Sequence, residues 1–124
     1  MDIRPRITID LTAFGKEGAI TLAPPTFRRT QELSNRLAVI GQGGEIVKVS
    51  PGEAYVLSVL SYVEKGPFGL DYDEFMDYCD ELDELRLGSA KELFSAMEKA
   101  VRELDTKVVS PFAGSPSAGI ANSV

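Results

Sequence analysis

The sequence predicts a single α+β domain that is mainly α, with a short N-terminal β-hairpin packed on about four helices. Three observations support this class. Two short runs near the N-terminus alternate apolar and polar residues, as half-buried strands do. Three helix-start signatures of the capping-box type follow later in the chain. Eight of the ten residues from 54 to 63 are apolar or aromatic, which predicts a central helix over residues 51–65 surrounded by the rest of the domain.

Length and composition favour one globular domain at residues 1–105 and a flexible low-complexity tail at residues 106–124. A chain of 124 residues buries enough surface to fold without disulfides, and its single cysteine excludes an internal one. Most residues after position 107 are Pro, Gly, Ser, Ala or Val, which cannot build a core. Because no apolar segment is long enough to span a bilayer and no signal peptide is visible, we expect a cytoplasmic protein without a membrane partner.

The charge of the chain is distributed unevenly. The net charge is −6, made up of +2 over residues 1–50, −9 over residues 51–105 and +1 in the tail. Binding of nucleic acid to phosphates requires a basic surface, so we expect no nucleic-acid partner. A basic protein partner, or a homo-oligomer in which the two halves pair, is compatible with this distribution.

The N-terminal hairpin is predicted from residues 7–11 and 19–22, joined by a glycine-containing turn at residues 13–18. A lone hairpin is only marginally stable in water, so it must pack on helices or pair with another strand. Its open edge would offer backbone groups to another chain. We therefore predict a partner-binding edge at Ile7, Ile9 and Leu11.

The next segment is predicted as a helix over residues 26–40, following Pro24 and Pro25. Leu33, Leu37 and Ile40 keep helical spacing, and the glycines at residues 41–44 would end the helix. The same glycines do not resemble a phosphate-binding loop, because no Lys-Ser/Thr pair follows them. Residues 45–49 form a short extended run, which predicts a further strand.

The central helix is predicted over residues 51–65, with Ser50 as its cap, Pro51 in its first position and Glu53 completing the capping box. Two further helices are predicted at residues 71–87 and 89–104, each opening on a similar pair of residues. Apolar stripes run along both: Phe75, Cys79, Leu82 and Leu85 on the first, and Leu93, Met97, Ala100, Val101 and Leu104 on the second.

Residues 71–84 contain eight carboxylates and no basic residue. They do not form a calcium-binding loop, because an EF-hand pattern starting at Asp71 would place Phe75, Met76 and Leu82 where ligands and glycine are needed. The carboxylates opposite the apolar stripe are Asp73, Asp77, Asp80 and Glu84. This pattern is compatible with a solvated helix face. It is also compatible with a docking face for a basic partner, which makes these four residues candidates for partner binding.

Residues with catalytic chemistry are scarce. The chain has no histidine, so the commonest general base is missing. Cys79 lies on an apolar stripe, where a buried inert thiol is the expected state. A zinc site would need more ligands than one cysteine and scattered carboxylates. We therefore predict that the protein is not an enzyme and holds no cofactor or metal.

The order of elements carries a resemblance. A strand, turn and strand at residues 7–22 lead through Pro24-Pro25 into a helix, then into acidic helices and a low-complexity tail. This layout resembles the small tail assembly chaperones of long-tailed, siphovirus-like bacterial and archaeal viruses. The resemblance implies a non-enzymatic protein of the host cytoplasm that multimerises and coats the tape measure protein while the tail tube polymerises. It also implies that a frameshift can extend the chain at the uncharged segment that begins at Val108.

Two alternatives remain open from the sequence. The chain could be a small structural virion protein of the connector or tail-completion type, whose tail becomes ordered in the particle. It could instead be an acidic regulatory protein whose helix at residues 71–87 mimics nucleic acid and docks on a basic DNA-binding protein. Presence in mature particles would favour the first alternative over a chaperone, and loss of binding to a DNA-binding protein after charge reversal on the acidic helix would favour the second.

Overall fold

The computed structural model describes residues 4–40 and 46–107. The elements in chain order are β1 (Ile7–Asp10), a 3-10 turn (Leu11–Phe14), β2 (Ala19–Leu22), α1 (Phe27–Leu37), β3 (Ala38–Ile40), β4 (Ile46–Lys48), α2 (Pro51–Leu60), β5 (Val63–Lys65), α3 (Tyr72–Leu85) and α4 (Ser89–Lys107). The predicted α+β class is confirmed: helices dominate, and a three-stranded antiparallel sheet includes the N-terminal hairpin.

The hairpin of β1 and β2 has the register that the alternation predicts. Ile7 lies opposite Leu22 and Ile9 opposite Ile20, so the apolar side chains share one face of the sheet. That face packs on the domain core, with Ile20 and Leu22 fully buried. Gly15 follows the 3-10 turn with φ of 86°, a conformation that glycine adopts without the strain another residue would incur. The turn therefore depends on glycine at this position.

The helix α1 ends earlier than predicted. It stops at Leu37, and residues 38–40 form β3, which pairs with β4 in a second antiparallel hairpin. Val39 and Ile40 are β-branched and favour extended backbone, while a pairing strand downstream satisfies their backbone groups. The predicted strand at residues 45–49 is confirmed as β4. The predicted glycine cap at residues 41–44 lies outside the described residues.

The central helix is also shorter than predicted. α2 spans Pro51–Leu60, and residues 63–65 form β5, which adds to β2 as a third strand. The prediction of helix through residue 65 is wrong because β2 offers unpaired backbone groups that Val63 and its neighbours satisfy. The start of α2 is as expected, since Ser50 Oγ accepts a hydrogen bond from the Glu53 N–H at 3.2 Å.

The helix α3 starts as predicted and ends two residues early, at Leu85. The Asp71 carboxylate accepts from the Glu74 N–H at 2.9 Å, while the Glu74 carboxylate accepts from the Gly69 N–H at 2.7 Å. The predicted apolar stripe holds at Phe75, Cys79 and Leu82. It fails at Leu85, which is 58% exposed. The last turn of α3 therefore extends past the core.

The predicted capping box at Ser89 and Glu92 is not formed. Ser89 is buried and its Oγ has no hydrogen-bond partner among the described residues, and Glu92 pairs with Arg86. The Asp83 carboxylate accepts from the Ala90 N–H instead, at 3.0 Å. An acid on α3 thus satisfies the N-terminus of α4, which ties the two helices together. α4 continues to Lys107, so the first residues assigned to the tail are helical.

The core lies between the sheet, α2, α3 and α4. α2 contacts each of the other three helices and buries Leu57, Val59 and Leu60, while Tyr55 is half exposed. α2 is therefore central, although one of its sides faces solvent. The other buried core residues come from the sheet, the turns, α3 and α4: Leu11, Ile20, Leu22, Val63, Phe68, Leu70, Phe75, Cys79, Leu82, Leu93, Met97, Ala100 and Leu104.

Candidate protein-binding surfaces

The acidic face of α3 is formed by Asp73, Asp77, Asp80 and Glu84. All four are exposed, on the side of the helix away from the buried Phe75. None of them forms an ion pair or a side-chain hydrogen bond within residues 4–40 and 46–107. The structure thus places the four predicted residues on one helix surface without an ion-pair partner in the described part of the chain, although Glu84 lies within electrostatic range of Lys16.

The other carboxylates of α3 have structural partners that the sequence does not reveal. Glu81 forms a 2.7 Å ion pair with Lys16 of the hairpin turn. This hydrogen bond raises the pKa of Lys16, whose Nζ also lies 5.6 Å from the centre of the Tyr78 ring. Asp83 and Glu74 accept backbone N–H groups. These contacts separate the acids that stabilise the fold from the four that face solvent.

The edge of β1 is the second candidate surface. One hydrogen bond shows which residues of β1 direct their backbone groups at β2 and which direct them outwards. The Leu11 N–H donates to the Gly18 carbonyl at 3.0 Å, so Ile9 and Ile7 also direct their backbone groups at β2. Thr8 and Asp10 consequently direct their N–H and C=O groups away from the sheet. Both residues are exposed. These outward groups, rather than the apolar side chains, define the open edge.

The three apolar residues predicted for this edge occupy different environments. Ile7 and Ile9 are half-buried and pack against the core from the edge strand. Leu11 lies in the 3-10 turn and is only 1% exposed, so its side chain belongs to the core and is not accessible to a partner. The alternating pattern cannot distinguish a last strand residue from the first residue of a turn.

The opposite edge of the sheet is partly covered. The Arg29 guanidinium of α1 donates from Nη2 to the Val63 carbonyl of β5 at 3.1 Å. Arg29 also lies 3.6 Å from Glu32. Arg29 therefore helps to hold α1 against the sheet, and β1 is the more open of the two edges.

A cleft of about 640 Å³ lies where the end of α1 faces the starts of α2 and α3. Arg36 lines one side, and Glu53, Asp71 and Asp73 line the other. The cleft is continuous with the acidic face through Asp73. Its walls combine these charged groups with apolar side chains, among them Val49 and Leu57.

A groove of about 350 Å³ between α2 and α4 contains two tyrosine–carboxylate pairs. Tyr62 donates to Asp105 at 2.6 Å, and Tyr55 donates to Glu98. Burial, followed by the hydrogen bond to Asp105, raises the pKa of Tyr62 to about 12. Both phenols therefore act as protonated donors at neutral pH. The sequence offers no signal for these pairs, because the partners are far apart in the chain.

Cys79 behaves as the sequence predicts for a packed thiol. It is buried among the core residues of α3, and burial raises its pKa to about 11. A protonated, buried thiol is a poor nucleophile. Over the described ranges, no group of three or more His, Cys, Asp and Glu side chains has a geometry that would hold a metal ion.

Comparisons with known proteins leave the chain without an assigned family. No family model, curated protein or solved structure matches it. None of the helices in the described part of the chain has the length and apolar character needed to cross a membrane.

Proposed function

We propose that the protein is a non-enzymatic assembly protein that acts as a viral tail assembly chaperone in the host cytoplasm. Its partner would be the tape measure protein or another tail component. The observation that carries the proposal is the acidic face of α3, whose four exposed carboxylates form no ion pair within the described residues. Such a face suits a basic segment of a partner, since opposite charges steer association and select the partner.

The architecture supports a scaffold role. α3 is held by Phe75 and Leu82 in the core and by the Asp83 bond to α4, so its outer face is presented on a rigid element. The cleft beside Asp73 continues this surface towards α1. Binding would occur by electrostatic docking on α3 with limited rearrangement of the domain.

Co-expression with the tape measure protein of the same genome tests this function. The proposal predicts that the chain keeps the tape measure protein in the supernatant and copurifies with it. A variant carrying Asp77→Asn and Asp80→Asn should do so less well. The matched control carries Glu17→Gln and Glu103→Gln, which neutralise two exposed acids outside α3. A tape measure protein that precipitates equally with and without the chain would contradict the proposal.

The same acidic face favours a second candidate, a regulatory protein that docks on a basic nucleic-acid-binding protein. In that case the chain should compete with DNA for its partner. Competition that disappears in the Asp77→Asn and Asp80→Asn variant, together with no effect on the tape measure protein, would favour the regulatory role over the chaperone.

A further inference from the structure

The edge strand β1 has the properties of a self-pairing surface. Its outward backbone groups at Thr8 and Asp10 have no strand beside them among the described residues, since the sheet order is β1-β2-β5. Such an edge is a template for another strand. We propose that β1 pairs in antiparallel fashion with β1 of a second copy, with Thr8 opposite Thr8. The inference goes beyond partner binding, because it concerns contact between copies of this chain.

Charge complementarity selects this register. Arg6, Thr8 and Asp10 lie on the solvent face, as the ion pair from Arg6 Nε across the sheet to Glu64 on β5 indicates, at 2.7 Å. With Thr8 opposite Thr8, Arg6 of each copy lies opposite Asp10 of the other. Opposite charges at directly opposed positions stabilise antiparallel strands. Arg6 Nε and Nη2 are bound to Glu64 and the Asp10 carboxylate accepts from Thr12, so a direct ion pair across the interface requires one of these side chains to turn towards the other copy.

The other face of the strand is complementary in the same register. Ile7 of one copy lies opposite Ile9 of the other, and both are half-buried at the edge, so pairing covers their remaining apolar surface. The two-fold axis runs perpendicular to the sheet. α4, which contacts β1 in each copy, therefore lies on the same side of the joined sheet in both.

Neighbouring registers are less favourable. Moving the second strand so that Thr8 opposes Asp10 leaves neither Asp10 carboxylate opposite an arginine. Moving it further, so that Asp10 opposes Asp10, brings two like charges together, which destabilises a strand pair. Of these three registers, the Thr8–Thr8 register alone matches charges on one face and isoleucines on the other. The contact is self-complementary, as a closed two-fold dimer requires.

Proline at position 8 tests the backbone pairing. The Thr8 N–H points away from β2, so Thr8→Pro removes no hydrogen bond within the hairpin, and proline is tolerated at such edge positions. Because two outward donors are lost at one interface, we expect the dimer dissociation constant to rise about tenfold or more by sedimentation equilibrium. Thr8→Val keeps the donor and should leave the constant within about twofold. Circular dichroism checks that both variants are folded.

Cysteine at position 8 tests the register independently. Opposed residues of a hydrogen-bonded antiparallel pair have Cα atoms about 5.5 Å apart, within disulfide range. We therefore expect Thr8→Cys to form a covalent dimer on mild oxidation. Thr21→Cys is the matched control, because Thr21 lies directly opposite Thr8 on the same sheet face but in the central strand. Wild type, with only the buried Cys79, shows the background.

The outcomes separate this inference from the proposed function. Cross-linking of Thr8→Cys well above Thr21→Cys, with weakened association of Thr8→Pro, supports the β1 dimer. Equal cross-linking of the two cysteine variants, a wild type that remains monomeric at all concentrations, or a dimer unaffected by Thr8→Pro would overturn it. A monomer that still solubilises the tape measure protein would contradict the inference alone. A β1 dimer that binds no tail protein would contradict the function alone.

Discussion

The Tyr62 hydroxyl donates a 2.6 Å hydrogen bond to the Asp105 carboxylate and thereby joins the turn after α2 to the last turns of α4. The two residues are 43 positions apart in the chain. Tyr62 also precedes β5, and its carbonyl accepts from the Ala23 N–H at 2.9 Å. This residue therefore connects the helical layer to the sheet at a point where the sequence predicts an uninterrupted helix.

Removing the Tyr62 hydroxyl should weaken the fold. We expect Tyr62→Phe to lower the free energy of unfolding by about 1 kcal/mol, at the low end for a bond to a charged acceptor because the pair is partly exposed to solvent. Urea denaturation measures the change. Tyr72→Phe is the matched control and should have little effect, because the Tyr72 hydroxyl has no hydrogen-bond partner within the described residues. Equal stability of Tyr62→Phe and wild type would contradict this role of the bond.

The same pair makes a prediction for alkaline pH. The folded state raises the pKa of Tyr62 from 10.0 to about 12, so the protein favours the protonated phenol more than the unfolded chain does. The resulting stability is complete below pH 10 and is lost as the pH rises towards 12. Urea midpoints measured from pH 8 to about pH 11.5 should fall less steeply for Tyr62→Phe than for wild type.

The buried thiol adds to the alkaline loss. Burial raises the pKa of Cys79 from 9.0 to about 11. The protonated thiol therefore stabilises the folded state fully below pH 9, and this stabilisation is lost as the pH rises towards 11. Cys79→Ala should reduce the loss of stability between pH 9 and 11. An unchanged pH dependence in this variant would show that the thiol is not desolvated in the folded protein.

The cap of α4 distinguishes the observed fold from the sequence prediction. Asp83→Ala should cost about 1 kcal/mol, because it removes the acceptor for the Ala90 N–H. Ser89→Ala should be neutral or stabilising, because the Ser89 Oγ is buried without a partner among the described residues. Thermal denaturation of the two variants measures these effects. A large loss of stability for Ser89→Ala and none for Asp83→Ala would contradict the observed cap and support the predicted capping box.

The core role of α2 predicts a large effect at Leu60. This residue is fully buried, so Leu60→Ala should lower stability by about 2–5 kcal/mol. Leu87→Ala is the matched control, since Leu87 is 86% exposed and the same atoms are removed. Urea denaturation of both variants checks the contrast, and similar losses would contradict the placement of α2 at the centre of the domain.

The sequence predicts the elements whose signal is local. The caps at Ser50 and Asp71 begin helices where expected, and the alternation of residues 7–10 and 19–22 yields the hairpin. The sequence-based prediction fails where pairing with a strand elsewhere in the chain determines whether a segment is helix or strand. Val63 joins β5 because β2 lies beside it, and Ala38 begins β3 because β4 pairs with it. An apolar run by itself fits either conformation.

The candidate surfaces show the same division. Helical periodicity correctly places Asp73, Asp77, Asp80 and Glu84 on the outside of α3. It does not reveal that Glu81 and Asp83 are engaged by Lys16 and by the start of α4. Periodicity also does not predict that the N–H and C=O groups of Thr8 and Asp10 point outwards from β1. Their direction depends on the hydrogen bond between Leu11 and Gly18 across the hairpin, which sequence spacing alone does not define.

The most direct test of the account is the affinity for the tape measure protein after reversal of the α3 face. The variant carries Asp73→Lys, Asp77→Lys, Asp80→Lys and Glu84→Lys, and its fold is checked by circular dichroism. Isothermal titration calorimetry at low and high salt should show tight, salt-sensitive binding by wild type. The variant should bind about a hundredfold more weakly, because several charge contacts are lost together. Affinity that is unchanged by the reversal would contradict the claim that this acidic face binds the partner.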